Sequence, residues 1–350
     1  MNTFILSNYI KPIFLKTKDM SCNCSVFYKN GKKYLLSRNV SYLLGKNYCH
    51  VINDKCHTRN FLYGFTRNNT LKFIKEMNTL NADSNCKYFG LEDVRTITWD
   101  NDVYFSCTKV LGNTDTATMC FGKIDDELNF TNFKEFRTNC RKEKNWVPIE
   151  NNPFVYIYSF SPLTFVNVKE KRFYEVHNDI KEKYSGSTQV IKYNENFLTL
   201  VHYKTKANEY FHKFILFDKN FKVLKISNGF SFFGNRVEFC CDLKYENDKI
   251  KIITSINDGL SYYFELSDEF LQKTFNNELD NNTFNNDVYN KFLIDSFKIK
   301  SPEFSTVQAL GANDDELITQ AIILNYKKSN LPINEKNKIQ KLLLKKLKDL

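Results

Sequence analysis

The chain has 350 residues, of which 42% are hydrophobic and 15% aromatic, and its formal net charge is +10. This length and composition suffice for a large core, and an all-β fold can use such a length as a single domain. The charge lies mostly in residues 327–350, which carry eight lysines and two acidic residues, so the rest of the chain lacks the basic surface of a nucleic-acid-binding protein.

The first segment, MNTFILSNYIKPIFLK, has an apolar run too short for a signal peptide, and no segment reaches the length of a membrane span. The ten cysteines are irregularly spaced, and several lie in apolar segments, where cysteine behaves as a small buried hydrophobe. We therefore expect reduced thiols in a cytoplasmic protein. Cys49-His50 and Cys56-His57 have no second pair with ligand spacing, so we expect neither a metal nor another cofactor.

Five polar turns each lead into a segment of alternating apolar residues. Alternation bounded by Asn, Asp and Gly predicts strands and hairpins. The five predicted strands are residues 31–39, 100–108, 151–160, 194–203 and 246–255.

A second short segment with polar residues precedes each predicted strand. These segments are NCS (23–25), GLEDVR (90–95), KNWVP (144–148), GSTQV (186–190) and RVEFC (236–240). Ser25, Asp93, Asn145, Ser187 and Glu238 mark them at intervals of 68, 52, 42 and 51 residues. Each interval is about the length of a four-stranded propeller blade. The sequence therefore predicts an all-β, five-bladed β-propeller over residues 1–266.

Residues 267–350 are expected to form a C-terminal helical extension that braces the propeller. NDDELITQAIILN (313–325) predicts a helix capped by Asn313 or Asp314. The basic tail predicts an amphipathic helix whose apolar face packs on the propeller. Contact of this tail with a partner or an acidic membrane surface is the alternative.

The innermost strands of a propeller surround a central channel, and polar residues on them point toward its axis. The five upstream segments and the strands that follow them supply Asn23, Glu92, Asp93, Arg95, Lys144, Asn145, Ser187, Thr188, Glu238, Arg38, Ser159, His202 and Asp258. Charged groups are rarely buried unless they are paired, so this set favours a functional pocket over a structural core. A surface Asp93–Arg95 ion pair and a satisfied core histidine at position 202 are the simpler alternatives.

The ordered set GLEDVR, KNW, GST, VHY and RVEF resembles the mannoside phosphorylase family of glycoside-hydrolase-like enzymes. The likeness is greatest to the family's eukaryotic and viral branch, which is described as glycosyltransferases. It runs from about Cys22 to Leu266. It implies a five-bladed propeller, independently of the spacing described above.

The resemblance also implies roles for individual residues. The family's EDxR motif matches Glu92-Asp93-Val94-Arg95, so Asp93 is the expected general acid, with Glu92 beside it. The resemblance and the charge pattern together assign sugar or phosphate contacts to Arg38, Arg95, Lys144, Asn145, Ser187, His202, Glu238 and, less securely, Asp258. The family's glycine-rich run is reduced to Gly-Ser-Thr, and SINDGL around Asp258 departs from the family pattern, which leaves the nucleophile or donor subsite open.

The residue types suit glycosidic chemistry, in which an acid protonates the leaving oxygen. Glu92 would raise the proton affinity of Asp93 by like-charge repulsion if both faced the site, although adjacent strand residues normally point to opposite faces. No carboxylate is clearly placed as a base. Arg38, Lys144 and His202 instead offer cationic donors for phosphate oxygens.

We therefore expect an enzyme that transfers a glycosyl group, specifically mannosyl, between a phosphate-bearing donor and a sugar acceptor. The donor side would be inorganic phosphate, a sugar phosphate or a sugar nucleotide. A hydrolase of β-mannosides, a non-catalytic sugar-binding propeller and a protein-interaction platform are the alternatives. Asp93 favours an enzyme, because a sugar-binding protein needs no proton donor. The oligomeric state stays open.

Overall fold

The computed structural model describes residues 3–17, 21–44, 49–51, 56–77, 86–114, 116–206, 209–234 and 237–279. These residues are nearly all in β-sheets, with a short 3₁₀ helix at Leu6–Asn8 and one α-helix, α1, at Asp268–Phe275. No helix in these ranges is long and apolar enough to cross a membrane. The helix predicted at 313–325 and the basic tail lie outside the described residues.

Most strands follow one another as antiparallel meanders, in which each strand pairs with its neighbour along the chain. The chain begins with β1 (Thr3–Ile5) and β2 (Ile13–Phe14). The first meander contains β3 (Cys22–Lys29), β4 (Lys32–Val40), β7 (Cys56–Phe65) and β8 (Leu71–Glu76), with the hairpin of β5 (Tyr42–Leu44) and β6 (Cys49–Val51) inserted after β4. The second contains β9 (Tyr88–Trp99), β10 (Asp102–Gly112), β11 (Ala117–Ile124) and β12 (Phe130–Phe136).

The third and fifth meanders follow the same pattern, and the fourth has two short strands paired on each side of its central hairpin. The third contains β13 (Val147–Ile149), β14 (Asn152–Phe160), β15 (Leu163–Asn167) and β16 (Arg172–Val176). The fourth contains β17 (Ser185–Gly186), β18 (Ile191–Tyr193), β19 (Asn196–Lys204), β20 (Tyr210–Phe217), β21 (Val223–Ile226) and β22 (Gly229–Ser231). The fifth contains β23 (Glu238–Glu246), β24 (Lys249–Ile256) and β25 (Leu260–Ser267).

The N-terminal strands join the sheets formed by the end of the described chain. β1 pairs in parallel with β22, and β2 pairs antiparallel with β25. The two ends of the β region are therefore held together by backbone hydrogen bonds.

The five strands predicted from alternating apolar residues are confirmed, since they correspond to β4, β10, β14, β19 and β24. Their apolar sides are buried between sheets, as in the cluster formed by Leu198, Leu200, Phe214, Ile250 and Ile252. The alternation is thus explained by one face of each strand packing into a core.

Helix α1 covers part of this core. Ser267 caps it, because its hydroxyl accepts a hydrogen bond from the backbone N–H of Phe270 at 3.2 Å. Leu271 and Phe275 then pack into the same hydrophobic cluster as the fourth and fifth meanders.

The first strands of different meanders meet through buried polar side chains. The hydroxyls of Ser25 (β3) and Thr96 (β9) lie 2.6 Å apart. The Gln189 amide, between β17 and β18, donates to Asp242 of β23 at 3.0 Å. This polar centre agrees with the expectation that polar residues of the first strands converge.

Candidate active site

Asp93 lies in a β-bulge of β9. The pairing of β9 with β10 shifts between Arg95–Ser106 and Glu92–Thr108, so β9 has one residue more than β10 at this point. Asp93 accordingly has φ = +54°, in the left-handed region that Asp and Asn tolerate better than most residues. In a regular strand Glu92 and Asp93 would point to opposite faces, whereas the bulge lets both carboxylates reach one partner.

That partner is Arg38 of β4, which is buried. Its Nη1 donates to Asp93 Oδ1 at 2.9 Å, and its Nη2 donates to Glu92 Oε1 at 2.6 Å. Its Nε donates to the Thr58 hydroxyl at 3.2 Å, which fixes the plane of the guanidinium. The positive charge of Arg38 is therefore used first to hold the two carboxylates, and a phosphate contact from Arg38 stays a prediction.

Asn23 supplies a second donor to Asp93. Its Nδ2 lies 2.7 Å from Asp93 Oδ1, and its own Oδ1 accepts from the Ser255 hydroxyl at 2.8 Å. Asn23 also lies in a bulge, at φ = +47°, where the pairing of β3 with β4 shifts. The first, second and fifth meanders thus meet at one carboxylate.

The two carboxylates differ in proton affinity. Burial raises the pKa of Glu92, and its single bond from Arg38 only partly offsets this. Burial also acts on Asp93, but the charges of Arg38 and Arg95 and the Asn23 hydrogen bond outweigh it and hold the pKa below the usual range. Glu92 therefore has the higher proton affinity of the two, the reverse of the expectation that Glu92 would raise the proton affinity of Asp93.

Asp258 joins the same cluster through Tyr42. The Tyr42 hydroxyl donates to Asp258 Oδ2 at 2.7 Å and accepts from Arg38 Nη2 at 3.1 Å. Burial raises the pKa of Asp258 despite the opposing effects of Arg38 and Tyr42. The structure therefore brings Asp258 next to Arg38, Glu92 and Asp93, as the sequence predicts.

Arg95 is fully buried and faces the interior. Its Nε donates to the Ser187 carbonyl at 2.5 Å, and its Nη1 donates to the Asp93 carbonyl at 3.3 Å. The Phe239 ring covers its guanidinium, with 5.9 Å between Cζ and the ring centroid. The alternative of a surface Asp93–Arg95 ion pair is therefore wrong, and Arg95 acts on Asp93 through its charge and through the backbone.

His202 and Ser187 form a buried pair beside the acid cluster. Ser187 Oγ and His202 Nδ1 lie 2.9 Å apart, and the His202 ring stacks on Tyr210 with 5.4 Å between centroids. Burial lowers the pKa of His202 well below its usual range, with further contributions from His212 and Lys204. His202 is therefore a neutral hydrogen-bonding group at physiological pH, and the expectation that it is a cationic donor for phosphate is wrong.

Two exposed lysines face this cluster. The charge of Lys144 lowers the pKa values of Glu92, Asp93 and His202, and that of Lys204 lowers the pKa of Asp258. Their ammonium groups are in contact with solvent and are the accessible cations of the described site.

Close backbone packing sets the position of Lys144 and Asn145. Asn145 has φ = +63°, like Asn23 and Asp93 in their bulges. A Cβ on Gly186 would lie 2.3 Å from the Asn145 carbonyl oxygen and 2.2 Å from Val147 Cγ2. Only glycine fits there, so this residue lets the segment of Lys144 and the segment of Ser187 approach each other.

Glu238 has a different environment from the other predicted carboxylates. Both of its oxygens accept backbone N–H hydrogen bonds, from Phe232 and Phe233, and the side chain is fully buried. These bonds hold the turn that precedes β23. A substrate contact from Glu238 stays a prediction that these hydrogen bonds do not support.

Two residues of the cluster were missed from the sequence. Lys204 follows His202 by two positions in β19, so strand alternation was a usable signal that it shares the face of His202. Tyr42 begins the inserted hairpin β5–β6, and no sequence pattern connects it to Asp258. The expectation that the protein binds no metal stays a prediction. The described residues contain no group of three or more His, Cys, Asp or Glu placed to hold a metal ion.

Several solved structures that share this fold are described as mannoside phosphorylases or glycoside hydrolases. A β-1,2-mannobiose phosphorylase from Listeria innocua superposes with a TM-score of 0.54 at 12% identity, covering 78% of this chain and 97% of its own. MPT-4, a mannose phosphorylase from Leishmania mexicana in complex with phosphate, gives 0.52 at 12% identity, covering 75% and 89%. A protein from a mannoside phosphorylase family containing glycoside hydrolases that target β-1,2-mannosidic linkages in Candida mannan gives 0.52 at 12%, covering 77% and 94%.

No family model and no curated protein sequence matches this chain. The chain thus has the fold of the mannoside phosphorylases, which confirms the resemblance at the level of fold. At 12% identity the likeness defines the fold alone.

Proposed function

We propose that this protein is a five-bladed β-propeller enzyme that transfers a mannosyl group between a phosphate-bearing donor and a sugar acceptor. The observation that carries the proposal is the bulge at Asp93, which gives one buried arginine two consecutive carboxylates next to exposed lysines. The fold shared with mannoside phosphorylases supports mannosides as the substrate class.

The five meanders support the blade count. Each contributes a consecutive set of antiparallel strands, and β2 adds a fourth strand to β23–β25. Such closure by an N-terminal strand would join the first and last blades of a propeller. The site then lies where the first strands of the blades converge.

The acid would be Asp93, with Glu92 beside it. In phosphorolysis an oxygen of phosphate attacks the anomeric carbon, the glycosidic C–O bond breaks, and the leaving oxygen takes a proton from the acid. The products are mannose 1-phosphate and a sugar with a free hydroxyl. Asp93 is the member that the EDxR motif supports as donor, although its pKa is lowered and that of Glu92 is raised.

Bound phosphate would itself increase the protonated fraction of this acid. An anion bound beside the pair disfavours both ionised carboxylates and raises their pKa values. Protonated acid is then most abundant when phosphate is in place. A transfer in the reverse direction returns the proton to the same pair.

The accessible cations support the phosphate contact. Lys144 and Lys204 present exposed ammonium groups, whereas Arg38 already neutralises Glu92 and Asp93. The charges of both lysines act on His202, which is buried and hydrogen-bonded to Ser187. Asp258 would accept a hydrogen bond from a sugar hydroxyl through the oxygen that Tyr42 does not engage.

Hydrolysis of β-mannosides is the second candidate, and the presence of Asp258 favours it. Inverting hydrolysis needs a second carboxylate as base, on the opposite side of the sugar from the acid. Asp258 is the third carboxylate of the cluster and its pKa is raised, as a base requires.

The donor assay separates these functions. The protein is incubated with mannose 1-phosphate or a mannosyl nucleotide and mannose as acceptor, and in a second reaction with a β-mannobiose, with and without inorganic phosphate. If the enzyme transfers mannosyl groups, the first reaction should form mannobiose and release phosphate or nucleotide. In the second reaction, mannobiose should be cleaved only when phosphate is present. Free mannose that forms without phosphate would instead establish the hydrolase, and binding of mannobiose without turnover would establish a sugar-binding protein.

A further inference from the structure

Tyr42 connects the two ends of the site. Its hydroxyl lies 3.1 Å from Arg38 Nη2 and 2.7 Å from Asp258 Oδ2. The same Arg38 nitrogen donates to Glu92 at 2.6 Å. A continuous path of hydrogen bonds therefore runs from the acid pair in the second meander, through the first, to Asp258 after β24.

The direction of each hydrogen bond in this path is determined by chemistry. Arginine only donates, so the Tyr42 oxygen accepts from Arg38 and its single proton is left for Asp258. Burial raises the pKa of Tyr42 well above its usual range, so the hydroxyl keeps this proton. Ionised Asp258 thus receives one directed, charge-assisted hydrogen bond.

We propose that Tyr42 is a positioning residue, which holds the Asp258 carboxylate at a set distance and orientation from the Glu92–Asp93 acid pair. The inference rests on the proposed function, because the position of Asp258 matters for activity only if a sugar binds between these groups. With Oδ2 engaged by Tyr42, Oδ1 is the oxygen that would accept a hydrogen bond from the sugar.

The charges around Asp258 predict the effect of losing this contact. Arg38, Lys204 and the Tyr42 hydroxyl favour its ionised form, whereas burial and the charge of Asp93 disfavour it. In a variant without the Tyr42 hydroxyl, Asp258 stays buried but loses a hydrogen-bond donor. Its pKa therefore rises further, and a larger fraction is protonated at mildly acidic pH.

Tyr42→Phe tests the proposal, and Tyr28→Phe is the matched control. The Tyr28 hydroxyl donates to Glu246 at 3.2 Å, so it also connects the first and fifth meanders, but on the exposed surface. We expect Tyr42→Phe to lower kcat about 10- to 100-fold, the effect of one charge-assisted hydrogen bond, and to shift the acidic limb of the pH–rate profile to higher pH. Tyr28→Phe should leave both unchanged. A Tyr42→Phe enzyme with the kcat and pH profile of the wild type would overturn the proposal.

A double-mutant cycle gives a readout that does not depend on activity. Tyr42→Phe, Asp258→Asn and the double variant are compared by denaturant unfolding, and non-additive losses of stability are expected because the two groups are in contact. Tyr28→Phe combined with Asp258→Asn should be additive. Additive losses for Tyr42 and Asp258 would overturn the pairing. A wild type inactive with every donor would overturn the proposed function, while the cycle still decides whether Tyr42 holds Asp258.

Discussion

Asn23 Nδ2 lies 2.7 Å from Asp93 Oδ1, and both residues have left-handed backbone conformations in bulges of different meanders. Each bulge adds one residue to its strand and turns a polar side chain toward the other. Asp93 therefore receives donors from Asn23 and Arg38 on one oxygen. This arrangement gives Asp93 the lower proton affinity of the Glu92–Asp93 pair.

Glu92→Gln and Asp93→Asn should change the pH dependence of stability in opposite directions. The pKa of Glu92 is raised by folding, so the folded state binds this proton more tightly, and the wild type loses stability as pH rises above the ordinary glutamate range. Glu92→Gln lacks this loss and should gain stability relative to the wild type over that window.

The pKa of Asp93 is lowered by folding, so the wild type gains stability as pH rises toward the ordinary aspartate range and loses it as pH falls through the folded-state pKa. Asp93→Asn lacks this gain, so its stability relative to the wild type should fall as pH rises. Thermal or urea unfolding between about pH 3 and pH 8 measures both. Equal slopes for the two variants would contradict the opposite pKa shifts of Glu92 and Asp93.

Arg38→Met should be strongly destabilising. Its side chain is 5% exposed and its partners Glu92 and Asp93 are 27% and 15% exposed, so removal of the arginine leaves carboxylates buried without their counter-ion. We expect a loss of about 3–5 kcal/mol near neutral pH, and less at low pH where the carboxylates are protonated.

Arg59→Met is the matched control for Arg38→Met. Arg59 of β7, the strand next to β4, forms an ion pair with Glu76 of β8, but both side chains are substantially exposed. Exposed pairs contribute about 0–1 kcal/mol. Losses of similar size in the two variants, measured by urea unfolding, would show that the Arg38 cluster is not a buried charge network.

Gly186→Ala should disturb the site through its packing. The added methyl group would collide with the Asn145 carbonyl and Val147, so the backbone that carries Lys144 and Ser187 must move. Overpacking of this kind costs about 1–3 kcal/mol, and KM for phosphate should rise as the two segments separate.

Gly64→Ala provides the control for this substitution. Its added carbon would meet only Ile74 Cδ1, at 3.3 Å, which a flexible side chain can accommodate. Unfolding and phosphate titration of both variants check the prediction. A Gly186→Ala protein with wild-type stability would contradict the close approach.

The strands were predictable from the sequence because each buries one face. Segments such as 246–255 keep strict apolar alternation, and β24 forms there at Lys249–Ile256. The bulges were harder to predict from the sequence, because alternation alone places Glu92 and Asp93 on opposite faces. The usable signal was Asn or Asp, which tolerate positive φ, at positions 23, 93 and 145.

The candidate site was predictable where a residue type limits its environment. A buried arginine needs acidic partners, and Arg38 has two. The role of Glu238 was not predictable, because a carboxylate can equally accept backbone N–H bonds in a turn, as it does here. The role of Tyr42 depends on its contact with Asp258, which lies 216 positions away, and a single sequence does not reveal such a contact.

Mannosyl transfer by wild type and Asp93→Asn tests the central claim most directly, with Asp102→Asn as control. Asp102 lies on the adjacent strand β10 and pairs with Lys123 at the surface, 2.6 Å away. With mannose 1-phosphate or a mannosyl nucleotide as donor and mannose as acceptor, wild type and Asp102→Asn should form mannobiose at equal rates. Asp93→Asn should be slower by about 10²- to 10⁴-fold, the contribution of a general acid. Equal product from Asp93→Asn and wild type would contradict the assignment of Asp93 as the acid.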